Sequence, residues 1–208
     1  MVTEEILNDY IEKRVAEIAT KPCGVKSLVV TGLGHRPAKL KGGYDTASPD
    51  NMEIKMDMAE NILNLLYSYE VVTCISGMAL GIDAFFADVA LSIKSELSNY
   101  DKEYRLIFKA YIPFKNQDAK WFGESKEFYK LVLSVADEVV NCTQQDNYTP
   151  KSMKIRNEHM VEASDLILAY YDNKVYSGSA SAVNYANSRK VPIIESSLGV
   201  ITFKGGGV

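Results

Sequence analysis

The sequence predicts an α/β domain built on a mostly parallel sheet with helices on both faces. Three observations predict it. Short runs such as "SLVVTG", "VVTCISG", "RLIFKAYIP" and "DLILAYYD" are apolar on both faces of an extended chain. Each is followed, after a polar turn or loop, by a segment whose apolar residues recur with helical period, so strands and helices alternate. Glycines crowd the turns that leave three of these runs. Right-handed crossovers then give a doubly wound, Rossmann-like, three-layer α/β/α arrangement.

The elements follow in order. Residues 3–19 carry Ile6, Tyr10, Ile11, Val15 and Ile18 on one stripe, which predicts a helix docked on the sheet or on a second copy of the chain. A homo-oligomer is therefore left open. "SLVVTG" is the first strand, and a Gly/Pro-rich loop runs to about residue 50. Ile54, Met58, Ile62, Leu65 and Leu66 mark the next helix. "VVTCISG", "GIDAFFADVALSIKSEL" and "RLIFKAYIP" give strand, helix and strand, the last stopped by Pro113. A helix ending near Val135, the short strand "DEVVNC", the helix "KSMKIRNEHMVEAS", the strand "DLILAYYD", the helix "SGSASAVNYANSRK" and the strand "VPIIE" complete the pattern. The expected organisation is an N-terminal helix over 1–25, one ligand-binding domain over 26–203 and a disordered tail over 204–208.

Composition narrows the function. The chain has 208 residues, 47% hydrophobic and 24% charged, which suits a globule with a sizeable core. A net charge of −4 argues against a general nucleic-acid binder. Cys23, Cys74 and Cys142 form no CxxC pair, and two histidines without a Cys/His cluster predict no metal. Buried, reduced thiols are expected. The start of the chain is acidic and amphipathic, unlike a signal peptide, and no apolar run is long enough to span a bilayer. A cytoplasmic protein without a membrane partner or a cofactor is the expectation.

In a doubly wound sheet, ligands bind beyond the carboxyl ends of the strands. Three loops there share one design: apolar strand, glycine and hydroxyl residues, helix start. They hold Gly32, Gly34, His35 and Arg36; then Ser76, Gly77, Gly81 and Asp83; then Asp172, Ser177, Gly178 and Ser179. Glycine lets a ligand approach the backbone, and the N–H groups of a helix start attract phosphate. Arg36 could grip a phosphate with two nitrogens, beside His35. Asp83 is equally a first-turn carboxylate facing the helix dipole, and Ser177 equally a cap. On the helix after residue 150, Arg156 shares a face with Met160, and Asn157 lies on another; a solvated surface is the alternative for both. Trp121 and Tyr148 sit in loops long enough to cover a pocket and could stack on a base. No loop is a Walker loop, and Pro37 stands at the third glycine of the dinucleotide fingerprint, so an ordinary NAD dehydrogenase is not expected.

"SGMALGIDAFFADVAL" resembles the SGxAxGID motif of the Smf/DprA branch of the SLOG superfamily of Rossmann-like proteins. "TGLGHRP…LKGGYD" is similar to the opening of its YpsA-like branch, with one extra residue between Gly32 and His35. "AYIPFKNQDAKW", "ADEVV", "MKIRNEHMVEASDLILAYYD" and "GSASAVNYA" follow in that branch's order, so the likeness covers roughly residues 26–195. The resemblance implies a pocket for a nucleotide or nucleotide-derived ligand, and a sensor or binding protein. It also implies two rivals: a LOG-like N-glycosidase acting on nucleoside monophosphates, and a DprA-like protein that binds single-stranded DNA or a partner. The LOG-like enzymes carry a glutamate where this chain has Ala182. Without it, the carboxylate that steadies an oxocarbenium centre would have to come from Asp83, Glu158 or Asp172.

Overall fold

The computed structural model describes residues 1–20, 26–100, 105–172 and 177–196. Cys23 and the glycine-rich tail lie outside them. Strands β1 (Ser27–Gly34), β2 (Val71–Ser76), β3 (Arg105–Ile112), β4 (Glu138–Asn141), β5 (Leu166–Tyr170) and β6 (Ile193–Glu195) form one sheet in the order β4-β3-β2-β1-β5-β6. Every adjacent pair is parallel. The chain winds outward from β1 to β4, then crosses back to place β5 on the other side of β1. Strand order reverses between β1 and β5, so the crevice that takes ligands in such sheets lies beyond Gly34 and Tyr170.

Alternation along the strands feeds two cores. Val30, Val72, Cys74, Phe108, Leu168 and Tyr170 point into the larger one, with helices α1 (Glu4–Ala19), α2 (Pro49–Ser68), α3 (Ile82–Leu97) and α4 (Gly123–Val135). Leu33, Ile75, Ile167 and Ala169 point into the smaller one, with α5 (Pro150–Glu162) and α6 (Gly178–Arg189). This is the expected three-layer arrangement. In α1 the buried stripe is Leu7, Ile11, Val15 and Ile18, while Ile6 is exposed; the helix packs on α2 and α3 rather than on the sheet. Strand β4 is mostly exposed, as an edge strand is, and Glu138 pairs there with Lys109 at 2.7 Å. Cys74 is buried and Cys142 half-buried, both as free thiols, and burial pushes the Cys142 thiol up to about 11.

Two aspartates anchor β5 and β4 by one device. Asp165, just before β5, accepts from the Val29 N–H at 2.9 Å, and its own N–H donates to the Val29 carbonyl. Asp137, just before β4, accepts from the Phe108 N–H at 2.7 Å and from Lys94 at 2.6 Å. Desolvation opposes the charge on Asp137, but these bonds outweigh it and hold its carboxyl below the ordinary range. The motifs "ADEVV" and "ASDLIL" thus register strands. Asp165→Ala should cost about 1–2 kcal/mol in chemical denaturation.

Candidate functional site

Both glycines of β1 serve packing. A Cβ on Gly32 would lie 2.4 Å from Phe86 Cγ, and one on Gly34 2.5 Å from the Tyr170 carbonyl oxygen. Only a bare backbone lets α3 and β5 close on the strand at these positions.

His35 follows and joins three loops. Its N–H donates to the Tyr170 carbonyl at 3.1 Å, and its carbonyl accepts from the Ile82 N–H at 3.1 Å. Its ring Nε2 accepts from the Asp172 N–H at 2.9 Å. The Ser179 hydroxyl donates to the Gly34 carbonyl at 2.5 Å. The ends of β1 and β5 and the starts of α3 and α6 therefore meet at one point. His35 is only 1% exposed, and burial, reinforced by Lys39 and opposed by Asp172, lowers its pKa to about 4. The ring is neutral at pH 7, with its proton on Nδ1 because Nε2 accepts. Of the pair His35 and Arg36, Arg36 supplies the charge.

The β2 loop holds a buried ion pair. Ser76 Oγ donates to the Asp83 carbonyl at 2.7 Å and accepts from the Met78 N–H at 3.1 Å. Met78 at φ 55° and Gly81 at φ 90° turn the chain into α3. Arg156 Nη1 meets Asp83 Oδ2 at 2.8 Å, with the residues 4% and 6% exposed. A Cβ on Gly77 would fall 1.4 Å from that Nη1, so this glycine makes the space for the guanidinium. Arg156 stands on α5 in line with buried Ser152 and Met160, four residues either side. Asn157 reaches across to the Gly178 carbonyl at 3.5 Å. Ser177 caps α6 by accepting from the Ala180 N–H at 3.1 Å, and a Cβ on Gly178 would meet nothing among the described residues.

Arg36 is exposed at the rim, yet the protein packed around it lowers its pKa; Asp83 opposes that shift and Arg156 adds to it. It lines a cleft of about 740 Å³ with Phe114, Asn116, Gln117, Lys120, Trp121, Asn147, Tyr148 and Met153. Gln117, which sequence reasoning missed, donates to the Met78 carbonyl at 2.7 Å and lies 3.4 Å from that of Gly77. The only signal for it was its place just after Pro113, where β3 ends. Trp121 also lines a second cavity, of about 470 Å³, around the Lys55–Asp88 pair.

The catalytic candidates are differently placed. Asp83 is committed to Arg156, and Glu158 lies 3.6 Å from Lys154 along α5. Asp172 is half-buried at the end of β5. Ala182 is buried in the smaller core with Leu33 and Ile75, so a glutamate there would have to bury its charge. Among the described residues no group of three His, Cys, Asp or Glu could hold a metal ion, and no helix is long and apolar enough to cross a membrane.

Comparisons with known proteins agree with this architecture. A region of the chain is 39% identical over 84 residues to the SPbeta prophage-derived protein YoqJ of Bacillus subtilis (strain 168), covering 36% of this chain and 48% of YoqJ. The chain thus spans about half the length of that relative. A UPF0398 protein of Bacillus cereus (strain B4264) is 27% identical over 146 residues, covering 70% of this chain and 75% of its own. Among solved structures, the DNA processing protein A of Helicobacter pylori, which binds single-stranded DNA, superposes with a TM-score of 0.51 at 17% identity. The match covers 86% of this chain and 67% of that one, and at this identity it shows the fold alone. It nevertheless corrects the expectation that nucleic acid is no partner. A protein of this fold binds single-stranded DNA, so the net charge of −4 excludes no such partner here. The family model YpsA, described as the YspA SLOG family, matches residues 28–203, and the chain belongs to this SLOG family.

Proposed function

We propose that this chain binds a nucleotide or nucleotide-derived molecule at the carboxyl ends of its parallel strands. One observation carries the reading: His35 ties the ends of β1 and β5 to the start of α3, exactly one residue before Arg36 projects at the rim. A crevice at the reversal of strand order is thereby floored with backbone and edged with a cation. The phosphate lies beside Arg36 and the Ser177–Ser179 loop, where the first turn of α6 offers N–H groups. Arg36 grips it as a planar donor. Asp172 and Asn157 face the ribose side, and Arg156 acts by holding Asp83 and so the β2 loop.

The reading is tested by melting the protein with AMP, ADP-ribose and a cyclic nucleotide. A ligand at a hundred times its Kd stabilises by about 2.7 kcal/mol, a rise of roughly 5–10 °C for a domain of this size. Arg36→Ala should remove most of that rise. No shift with any of the three overturns the proposal.

A further inference from the structure

The cleft beside Arg36 has a composition that phosphate binding does not call for. Two loops build it, one after β3 and one after β4, and backbone bonds join them: Lys115 N–H to the Gln145 carbonyl and Asn116 N–H to the Asp146 carbonyl, both at 3.0 Å. Thr143 Oγ donates to the Pro113 carbonyl at 2.6 Å and closes the base of the joint. On this scaffold stand Trp121 and Tyr148. Trp121 is held edge-on to Tyr129 with ring centres 5.1 Å apart, and Tyr148 edge-on to Phe114 at 6.0 Å. Both rings line the same cleft, with Arg36 and Lys120 and no carboxylate among the lining residues.

Gln117 gives the wall a polarity. Its Nε2 is turned to the carbonyls of Met78 and Gly77, which fixes the opposite end of the amide as the acceptor. That Oε1 has no hydrogen-bond partner among the described residues, although Gln117 is only 7% exposed. That oxygen is itself shielded from solvent, so a ligand in the cleft does not reach it, and the amide braces the cleft wall against the β2 loop.

We infer that this cleft receives a nucleobase, stacked on Trp121 and Tyr148 beside Arg36 and Lys120. The inference rests on the nucleotide reading above and names where its base goes. Arg36, shared by the cleft and the strand-end crevice, lies between base and phosphate. A free nucleotide and a nucleotide unit of a single strand present the same base, and they are told apart by the probe.

The experiment titrates the full chain with AMP and with octaadenylate. Trp121 is the chain's one tryptophan, so its fluorescence reports stacking directly. Binding of AMP or octaadenylate should quench it. Tyr148, 64% exposed, can be changed without disturbing the core. Tyr148→Ala should weaken binding at least fivefold, and Tyr148→Phe should restore it. Octaadenylate binding without AMP binding would assign the base to a strand, upholding the cleft while retiring the free-nucleotide reading. Calorimetric binding of AMP with no quenching and no effect of Tyr148→Ala overturns the inference and leaves the strand-end site standing. If neither probe binds, both fall.

Discussion

Asp83→Ala should lower stability by about 3–5 kcal/mol, because it leaves the Arg156 guanidinium charged and unpartnered inside the protein. For a domain of this size that is a drop in Tm of roughly 6–20 °C. The effect is large because both groups are buried and Gly77 lies directly against the guanidinium, which leaves it no water to turn to. The cost belongs to the stranded charge rather than to the attraction between the two groups. Replacing both partners together, as Asp83→Leu with Arg156→Met, should therefore recover most of the loss. A double variant no more stable than Asp83→Ala would show that the pair is not what holds the β2 loop. The single variant should also weaken the nucleotide binding proposed above, since the loop from Ser76 to Gly81 loses its anchor.

His35 makes the second large effect, and it depends on pH. Its pKa in the folded chain is about 4, below the ordinary 6.5. Below pH 6.5 the unfolded chain takes up a proton that the native ring refuses, so stability falls as pH falls from 6.5 to about 4 and levels off beneath it. The drop from 6.5 to about 4 is equivalent to roughly 3 kcal/mol. Protonation also ends the bond from the Asp172 N–H, because a protonated Nε2 cannot accept. In His35→Gln the side-chain oxygen can still accept that bond but does not titrate. Urea denaturation of both proteins between pH 7 and pH 4 should show the wild type losing about 3 kcal/mol more than the variant. Parallel curves would mean that His35 carries its proton in the native state.

Much of the fold is legible along the chain because its signals are local. Apolar runs such as "VVTCIS" and "LILAY" cannot face water on either side, and the helical segments between them are amphipathic. The strand-end loops are legible for the same reason, since glycine and hydroxyl residues mark a turn wherever they fall. Arg156 was partly legible: it shares a face with Met160, which is fully buried, so its burial follows from helical geometry. Its partner was not. Asp83 lies 73 positions away, and nothing in either neighbourhood names the other. The neutrality of His35 was equally hidden, because it comes from the loss of water around the ring, and the Asp172 N–H that its Nε2 accepts from lies 137 positions away.

By itself, then, the sequence determined the alternation of strands and helices, the parallel sheet they require, and the glycine turns at its carboxyl edge. Periodicity and local sterics act over a few residues and can be read without a structure. Only the tertiary structure decided which residues keep their charge, which are spent on each other, and that Gln117 stands in the cleft with Trp121 and Tyr148. Those outcomes depend on burial and on contacts between distant segments, and burial exists only once the sheet has closed.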